Sequence, residues 1–382
     1  MTVTWHQSMA TVPASWSAVV PAGRGFLASD YLAALESARP VRLRPCYATV
    51  DDAGTVAAMQ IVDLSVRDCV PALLADAPAD PPWRRWLRRA ALHTLGDRRW
   101  RVILCGNVFA GGESGLAWGP RTDPARAFRQ AAVALAGATR PGEARPAVLA
   151  FKDVGAAALP AAREALWPLG YREVSADPVM VLPIRPDWRT FDDYLGALKA
   201  RYRGHARRAL ADSAAIERRD LDATEILQSA DQIDAMHAAV LARASIRPSV
   251  LNARGFAALR ARLRDRFAFV GYYLGPRLVA FNTRLQFGEE MESYYFGLDY
   301  EVSRQFSLYR SMLYDDIAAA IDQGARRLSF GRTSQEVKST LGARPVPLTW
   351  FGKSTSLLPT RLLAHLAGSV VGPYTAHDPF RA

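Results

Sequence analysis

Leu328 to Ala343 reads LSFGRTSQEVKSTLGA. Leu328 and Phe330 alternate with Ser329 as in a strand, and Gly331 ends it with backbone freedom that other residues lack. The polar run Arg332-Thr333-Ser334-Gln335-Glu336 follows, with Ser334 placed to cap a short helix whose first turn holds Glu336 and Val337. Lys338 and Gly342 come next. Open α/β folds put ligands at such strand-to-helix exits, so Arg332, Thr333 and Lys338 are read as anchors for a donor or an acceptor carboxylate. A capped helix with a solvated charged face stays open as the alternative. Lysine is scarce, with Lys152, Lys199, Lys338 and Lys353 against 44 arginines, which argues against Lys338 as generic surface filler.

A chain of 382 residues is long enough for two domains with sizeable cores. Half of it is hydrophobic and 22% is charged, a globular balance. A net charge of +11 and a pI near 9.9 suit anionic partners such as nucleotides, phosphates, RNA or membrane surfaces. DNA is not expected. Cys46, Cys69 and Cys105 are too few and scattered for a disulfide framework or metal knuckle, and His205 and His237 lack a second ligand at zinc spacing, so no metal is expected. The first residues lack a basic start followed by an apolar core, and no run of 18 apolar residues exists, so the expectation is a cytoplasmic chain without a transmembrane segment.

Along the chain, residues 1–28 read as irregular, then a helix from Asp30 to Ala38 with Ser29 as cap. Val41–Val50 and Thr55–Leu64 read as a hairpin. Residues 71–82 read as a loop and Trp83–Leu95 as a basic helix. The strand Arg101–Cys105 runs into a glycine-rich loop, Gly106 to Gly115, which allows close approach of backbone to a ligand and brings in Asn107. It is not a P-loop, since no Gly-Lys-Ser/Thr follows. A helix from Pro124 to Ala138, a strand Ala147–Phe151, a helix near 157–169 and one strand from Tyr171 to Ile184 close the first half. The second half reads as a long helix Phe191–Ser213, a strand Ile216–Leu221, helices Ala223–Arg243 and Asn252–Arg264, and a three-strand meander, Phe267–Leu274, Arg277–Phe287 and Met291–Leu298, joined by tight turns. A loop Asp299–Phe306, a helix Ser307–Gln323, the strand to Phe330, a helix near 334–340 and a strand Pro347–Gly352 follow. Residues 357–371 read as an apolar helix packed on the body or on a second copy, which leaves a homodimer open. The expected domains are 1–185, 186–356 and the 357–382 helix and tail.

This order, strand, two helices, meander, helix, strand, helix, strand, resembles the GNAT acyltransferase layout, an α/β (α+β) fold of mixed sheets flanked by helices. The chain resembles tandem-GNAT proteins related to FemAB-type peptidyltransferases and to the BioF2-like acetyltransferase domain. The matching stretches are FLASDYLAALE, CGNVFAGGESG, FDDYLGALKARYRGHARRAL, FGLDYEVSRQFSLYRSMLYDDIAAAI and GRTSQEVKSTLGA, spread over residues 26–352. The resemblance implies two GNAT-like domains, the first degenerate and on the acceptor side, the second with the donor site, and acyl or aminoacyl transfer to an amine. Its phosphate-loop glycine position holds Ser307 here. The set Arg304, Gln305, Phe306, Ser307, Leu308 and Arg310 is therefore read as binding acyl-CoA through helix-start amides and flanking arginines. Aminoacyl-tRNA stays open as the donor, with the basic stretch Lys199–Arg208 as its contact.

Direct attack of an amine on a thioester or ester needs a base, oxyanion stabilisation and a protonated leaving group. Glu292 is the base candidate, read as sharing a strand face with Tyr294, Phe296 and Leu298. Its alternative is a pair with Arg284. Tyr309 is the candidate proton donor, with a packed helix aromatic as its alternative, and Tyr294 a substrate contact. A non-catalytic ligand-binding protein on the same scaffold is the remaining reading.

Overall fold

The computed structural model describes residues 1–20, 25–40, 44–52, 55–65, 101–138, 145–243, 251–355, 360 and 374–381. The expected basic helix 83–95, the loop 71–82, Cys69 and nearly all of the apolar run 357–371 lie outside these residues. The chain divides into two compact units. The first comprises residues 1–176, 243–250 and 348–372, and the second 177–242, 251–347 and 373–382.

In the first unit, residues expected to be irregular form a strand, β1 (Thr2–His6), and a short helix, α1 (Ser15–Val19). α2 (Ser29–Ser37) follows, without the expected side-chain cap from Ser29. β2 (Arg44–Asp52) and β3 (Thr55–Ser65) form the expected hairpin, in antiparallel register from Arg44↔Asp63 to Asp52↔Thr55. β4 (Arg101–Cys105) pairs with β3 and β5 (Leu116–Trp118) extends it. α3 (Pro124–Ala136) starts where Asp123 accepts from the Ala125 and Arg126 amides and proline takes the first turn. β6 (Val148–Gly155) lies parallel to β4, then come α4 (Leu159–Leu166) and β7 (Arg172–Ser175). Phe128, Phe151, Tyr171 and Phe351 anchor this core, each burying enough apolar surface to stabilise the fold by about 2–3 kcal/mol.

The run from Tyr171 to Ile184 is two strands. Ala176-Asp177-Pro178 breaks it, and β8 (Val179–Pro183) enters the sheet of the second unit. The long helix expected from Phe191 is also two, α5 (Phe191–Ala197) and α6 (Ala200–Asp212), because Leu198 and Lys199 turn extended to meet residues 379–381. β9 (Glu217–Asp220), α7 (Ala223–Gln228), α8 (Ala230–Leu241) and α9 (Ala253–Leu263) precede the meander β10 (Phe267–Leu274), β11 (Arg277–Phe287) and β12 (Glu290–Leu298). The segment expected to be a loop after Leu298 is a short helix, α10 (Tyr300–Gln305), capped by the Asp299 carboxylate. Then come α11 (Leu308–Asp322), β13 (Arg327–Ser329), α12 (Gln335–Ser339) and β14 (Arg344–Val346). The strand order is β14-β8-β13-β12-β11-β10-β9, all antiparallel except β12–β13.

The last strand, β15 (Leu348–Ser354), does not complete the second half as expected. It lies between β6 and β7, so the first sheet runs β1-β2-β3-β4-β6-β15-β7. Each sheet thus takes one strand from the other half of the chain. The division falls at 176/177, and residues 348–372 return to the first unit, whereas 1–185 and 186–356 had been expected. Both sheets are mixed and flanked by helices, as the α/β reading expected, although the helix expected over 223–243 is two and β14 was not expected.

Candidate active site

β12 and β13 pair over only three positions, Glu290↔Arg327 to Glu292↔Ser329. Beyond them β13 turns to β8, with Phe330 N donating to Met180 O at 2.8 Å and Met180 N to Gly331 O at 3.0 Å. β12 runs on to Leu298 beside β11. The two strands therefore part after Glu292 and Ser329, and the side chains around this opening form the site.

Lys338 is inside it. The residue is 3% exposed, and its Nζ donates to the Phe330 carbonyl at 2.5 Å. Burial lowers its pKa from 10.5 to about 7, the charges of Glu292 and Asp316 opposing. No carboxylate among the described residues comes within ion-pair distance of it. The exposed helix lysine read as an alternative is thus excluded. Asp316, on α11, is fully buried; its Oδ1 accepts from Asn282 Nδ2 at 2.6 Å and lies 3.4 Å from Arg284 Nη1. Burial raises its carboxyl, while Arg284, the Ser293 side chain and Asn282 pull it down.

Glu292 is buried at the point of parting, opposite Leu285 and Ser329. The expected face is corrected by a bulge. Arg284 pairs with Ser293 and Asn282 with Phe296, so β12 carries one extra residue there and the alternation reverses. Thr283 fills the bulge, its hydroxyl accepting from Tyr295 N at 2.8 Å and donating to Tyr295 O at 2.9 Å. Phe296 and Leu298 therefore share the face of Ser293, Arg284 and α11, and Glu292 points to the other face. Arg284 pairs with Asp316 across that sheet face instead of with Glu292. Tyr294, in the bulge, is half-buried with its ring 4.6 Å from Tyr295.

Ser307 and Ser334 precede the helices on either side of the opening, and both have left-handed backbones, φ +50° and +55°. Neither side chain caps its helix, contrary to expectation for Ser334, because a left-handed cap residue cannot direct its oxygen to the second or third amide. Ser307 Oγ donates instead to Asp212 Oδ2 at 2.7 Å. Its backbone thus adopts the geometry a glycine would, with the side chain tied to the end of α6. The Leu308 and Tyr309 amides at the start of α11 have no backbone or side-chain partner among the described residues. The Leu308 side chain is fully buried, so this residue offers a ligand its amide alone. Arg304 and Gln305 are exposed on α10, Phe306 is partly buried against the core, and Arg310 is half-buried near His205 and Tyr314.

Tyr309 packs its ring on Phe296 at 5.3 Å, and its hydroxyl is buried without a hydrogen bond. Burial raises that hydroxyl and the adjacent Ser334 side chain opposes. Arg332 donates through Nη1 to the Asp177 carbonyl, and Thr333 is exposed. Asn107 belongs to the first unit. Its amide is spent locally, accepting from Phe109 N at 2.8 Å and donating to Tyr31 Oη at 3.3 Å. His237 is buried among Phe256, Phe281 and Tyr295, with Nδ1 2.9 Å from Leu251 O, and burial lowers its pKa to about 4. No group of three metal-ligating side chains occurs among the described residues.

Sequence reasoning missed Asp316 with its partners Asn282, Arg284 and Ser293. A signal was present: Asp316 falls four residues after Met312 and beside Ile317, on the inward stripe of α11.

Residues 198–339 match the family described as acetyltransferase (GNAT) domain. The second unit thus carries a GNAT acetyltransferase domain, which makes the protein an acyltransferase. No curated protein matches the sequence. A solved structure of a conserved protein of unknown function from Bacteroides thetaiotaomicron aligns with 93% of this chain and all of its own at 8% identity and TM-score 0.52, a likeness of fold alone. FemX aligns over 85% of this chain and 90% of its own (12% identity, TM-score 0.49). A tandem GNAT protein from the clavulanic acid biosynthesis pathway aligns over 94% and 100% (12%, 0.46).

Proposed function

We propose that the chain transfers an acyl group from an acyl-CoA to the amine of a small or amino-acid-like acceptor by direct attack, without a covalent enzyme intermediate. The observation that carries this reading is the pair of amides at the start of α11 that have no partner among the described residues, beside the opening between β12 and β13. A helix start of this length favours an anion, and a donor pyrophosphate fits it, with Arg304 and Arg310 flanking. Glu292 takes the proton of the attacking amine. Lys338, close to half-protonated at neutral pH, is a second group able to hold or return that proton. Tyr309 gives a proton to the leaving thiolate. Arg332, Thr333 and Tyr294 line the acceptor side, and in this reading the first unit serves structure or acceptor binding. Calorimetric titration with a panel of acyl-CoAs, followed by mass spectrometry of products from mixed amines, tests it. Absence of binding by every donor at millimolar concentration sinks it.

One observation favours an aminoacyl-tRNA donor as the second reading. Arg201, Arg207 and Arg208 are exposed along α6, whose last residue reaches Ser307. Phosphate contacts of that kind weaken steeply with salt. A tRNA complex at low salt that fades as salt rises supports this reading, and a salt-insensitive complex or none removes it.

A further inference from the structure

Residues 374–381 lie across the second unit and touch both ends of the helix that carries Lys338. Phe380 is their anchor. Its ring packs on Trp188 and Tyr194, centroids 5.4 and 6.1 Å away, with the Arg185 guanidinium 4.7 Å above it. It also lies on Gly342, where a Cβ would come within 2.1 Å of the ring. Gly342 has φ +92°, so position and conformation both demand glycine. The flanking backbone is tied to the α5–α6 break: Lys199 N donates to Pro379 O at 2.8 Å, Arg381 N to Ala197 O at 3.0 Å, and Lys199 Nζ reaches Asp378 Oδ2 at 3.0 Å.

Three residues earlier the segment clasps α12 itself. His377 N donates to Ser339 Oγ at 3.2 Å, and His377 Nε2 lies 3.6 Å from Glu336 Oε1. The Tyr202 hydroxyl holds the other ring nitrogen at 3.3 Å. Glu336 and Ser339 flank Lys338 in sequence. α12 has only five residues, and an isolated turn of that length is unstable in water without tertiary support. We infer that residues 374–381 are a strap that seats α12, so that Phe380 and His377 are positioning residues for the Lys338 amine at the Phe330 carbonyl. The effect on turnover rests on the role proposed above for Lys338; the seating of the amine does not.

The four lysines make this testable by direct titration. Lysine labelled with carbon-13 at the ε position gives four signals, and Lys338→Met assigns the one of interest. Lys338 is faced by Glu292 on β12 and Asp316 on α11, and both stay in place in the strap variants. In the full chain its signal titrates near neutrality. In Phe380→Ala the loosened turn admits water, and the midpoint rises by about one pH unit or more toward the ordinary lysine value. His377→Ala shifts it the same way by less, and Phe380→Leu restores part of the loss. In turnover, kcat falls roughly tenfold while KM for the donor changes little, since the α11 amides are untouched. A folded Phe380→Ala with an unmoved midpoint overturns the strap, as does a wild-type Lys338 titrating with Lys199. If Phe380→Ala does not fold, His377→Ala decides by the same midpoint. A midpoint that moves in a protein without acyl transfer leaves the strap standing and removes the proposed function.

Discussion

Each unit drives one lysine into its interior beside a parallel strand pair, and the two surroundings differ. In the first unit Lys152 sits just past the last β4–β6 pair, Cys105↔Phe151, and is 8% exposed. It donates to Ala110 O at 2.6 Å and is ion-paired with Asp153. Asp153, itself buried and with φ +58°, accepts further from Trp350 Nε1 at 2.6 Å and Gly112 N at 3.1 Å. The glycine-rich loop read as a ligand cradle approaches this lysine: a Cβ on Gly106 would come within 2.6 Å of the Lys152 Cβ. The cavity beside them is about 20 Å³, room for one water at most. In the second unit Lys338 donates to one carbonyl, and the charges of Glu292 and Asp316 act on it without an ion pair among the described residues. A buried amine with its own counter-ion is structure; one left near neutrality is available for chemistry.

The largest effect tests how separate the units are. β8 lies between β14 and β13 inside the second sheet, yet it follows directly on β7 of the first. A fragment starting at residue 186 lacks it and exposes two unpaired strand edges. We expect that fragment to be insoluble or to melt without cooperativity in circular dichroism, whereas one starting at 177 retains the strand. A soluble, cooperatively folded 186–382 fragment would break the picture of sheets completed from the other half of the chain.

Next in size is Lys152→Met. It leaves the Asp153 carboxylate buried without its cation, a change that typically costs about 3–5 kcal/mol. Chemical denaturation should show that loss across neutral pH. A variant within about 1 kcal/mol of wild type would mean that donors such as Trp350 and Gly112 compensate Asp153 without the lysine.

Lys338→Met should behave oppositely. The folded amine titrates near 7 and the unfolded one near 10.5, so between those values the unfolded chain binds the extra proton. Stability therefore falls as pH drops through that window, and the penalty is complete below pH 7. Removing the amine lifts it. The variant should exceed wild type below pH 7 by about 2 kcal/mol or more, the curves converging toward pH 10.5. Turnover should fall about 10²–10⁴-fold. Lost stability at pH 6 with retained turnover would reverse the two lysines' roles.

These contrasts mark what was legible in the sequence. The meander, its turns and the helix before β13 were readable because alternation, turn glycines and an apolar stripe are local signals. Lys338 stood out by the rarity of its residue type, but its burial did not, since Gln335–Ser339 is too short to show an inward stripe. The β12 bulge left no mark in the alternation, so the face of Glu292 was misread by one residue. Strand exchange was invisible for the same reason. Tyr171–Ile184 and Leu348–Ser354 have good strand sequences, and nothing within a strand names the sheet it joins.

The smallest expected effect concerns the start of α11. Asp212 ends α6 and holds the Ser307 hydroxyl, which places a carboxylate beside the helix start where a donor phosphate is proposed to bind. That carboxylate favours the helix dipole and competes with any incoming anion. Asp212→Asn keeps a side-chain oxygen for Ser307 to donate to but removes the charge. The lost dipole interaction should lower stability by about 0.3–1 kcal/mol at low salt. The same removal should tighten acyl-CoA binding by roughly two- to fivefold, with the gain shrinking as salt screens it. Calorimetry at two salt concentrations reads both. No change in affinity with the expected small loss of stability would move the donor phosphate away from the Leu308 and Tyr309 amides. Weaker binding would mean that Asp212 acts through Ser307, by holding its left-handed backbone open for the ligand.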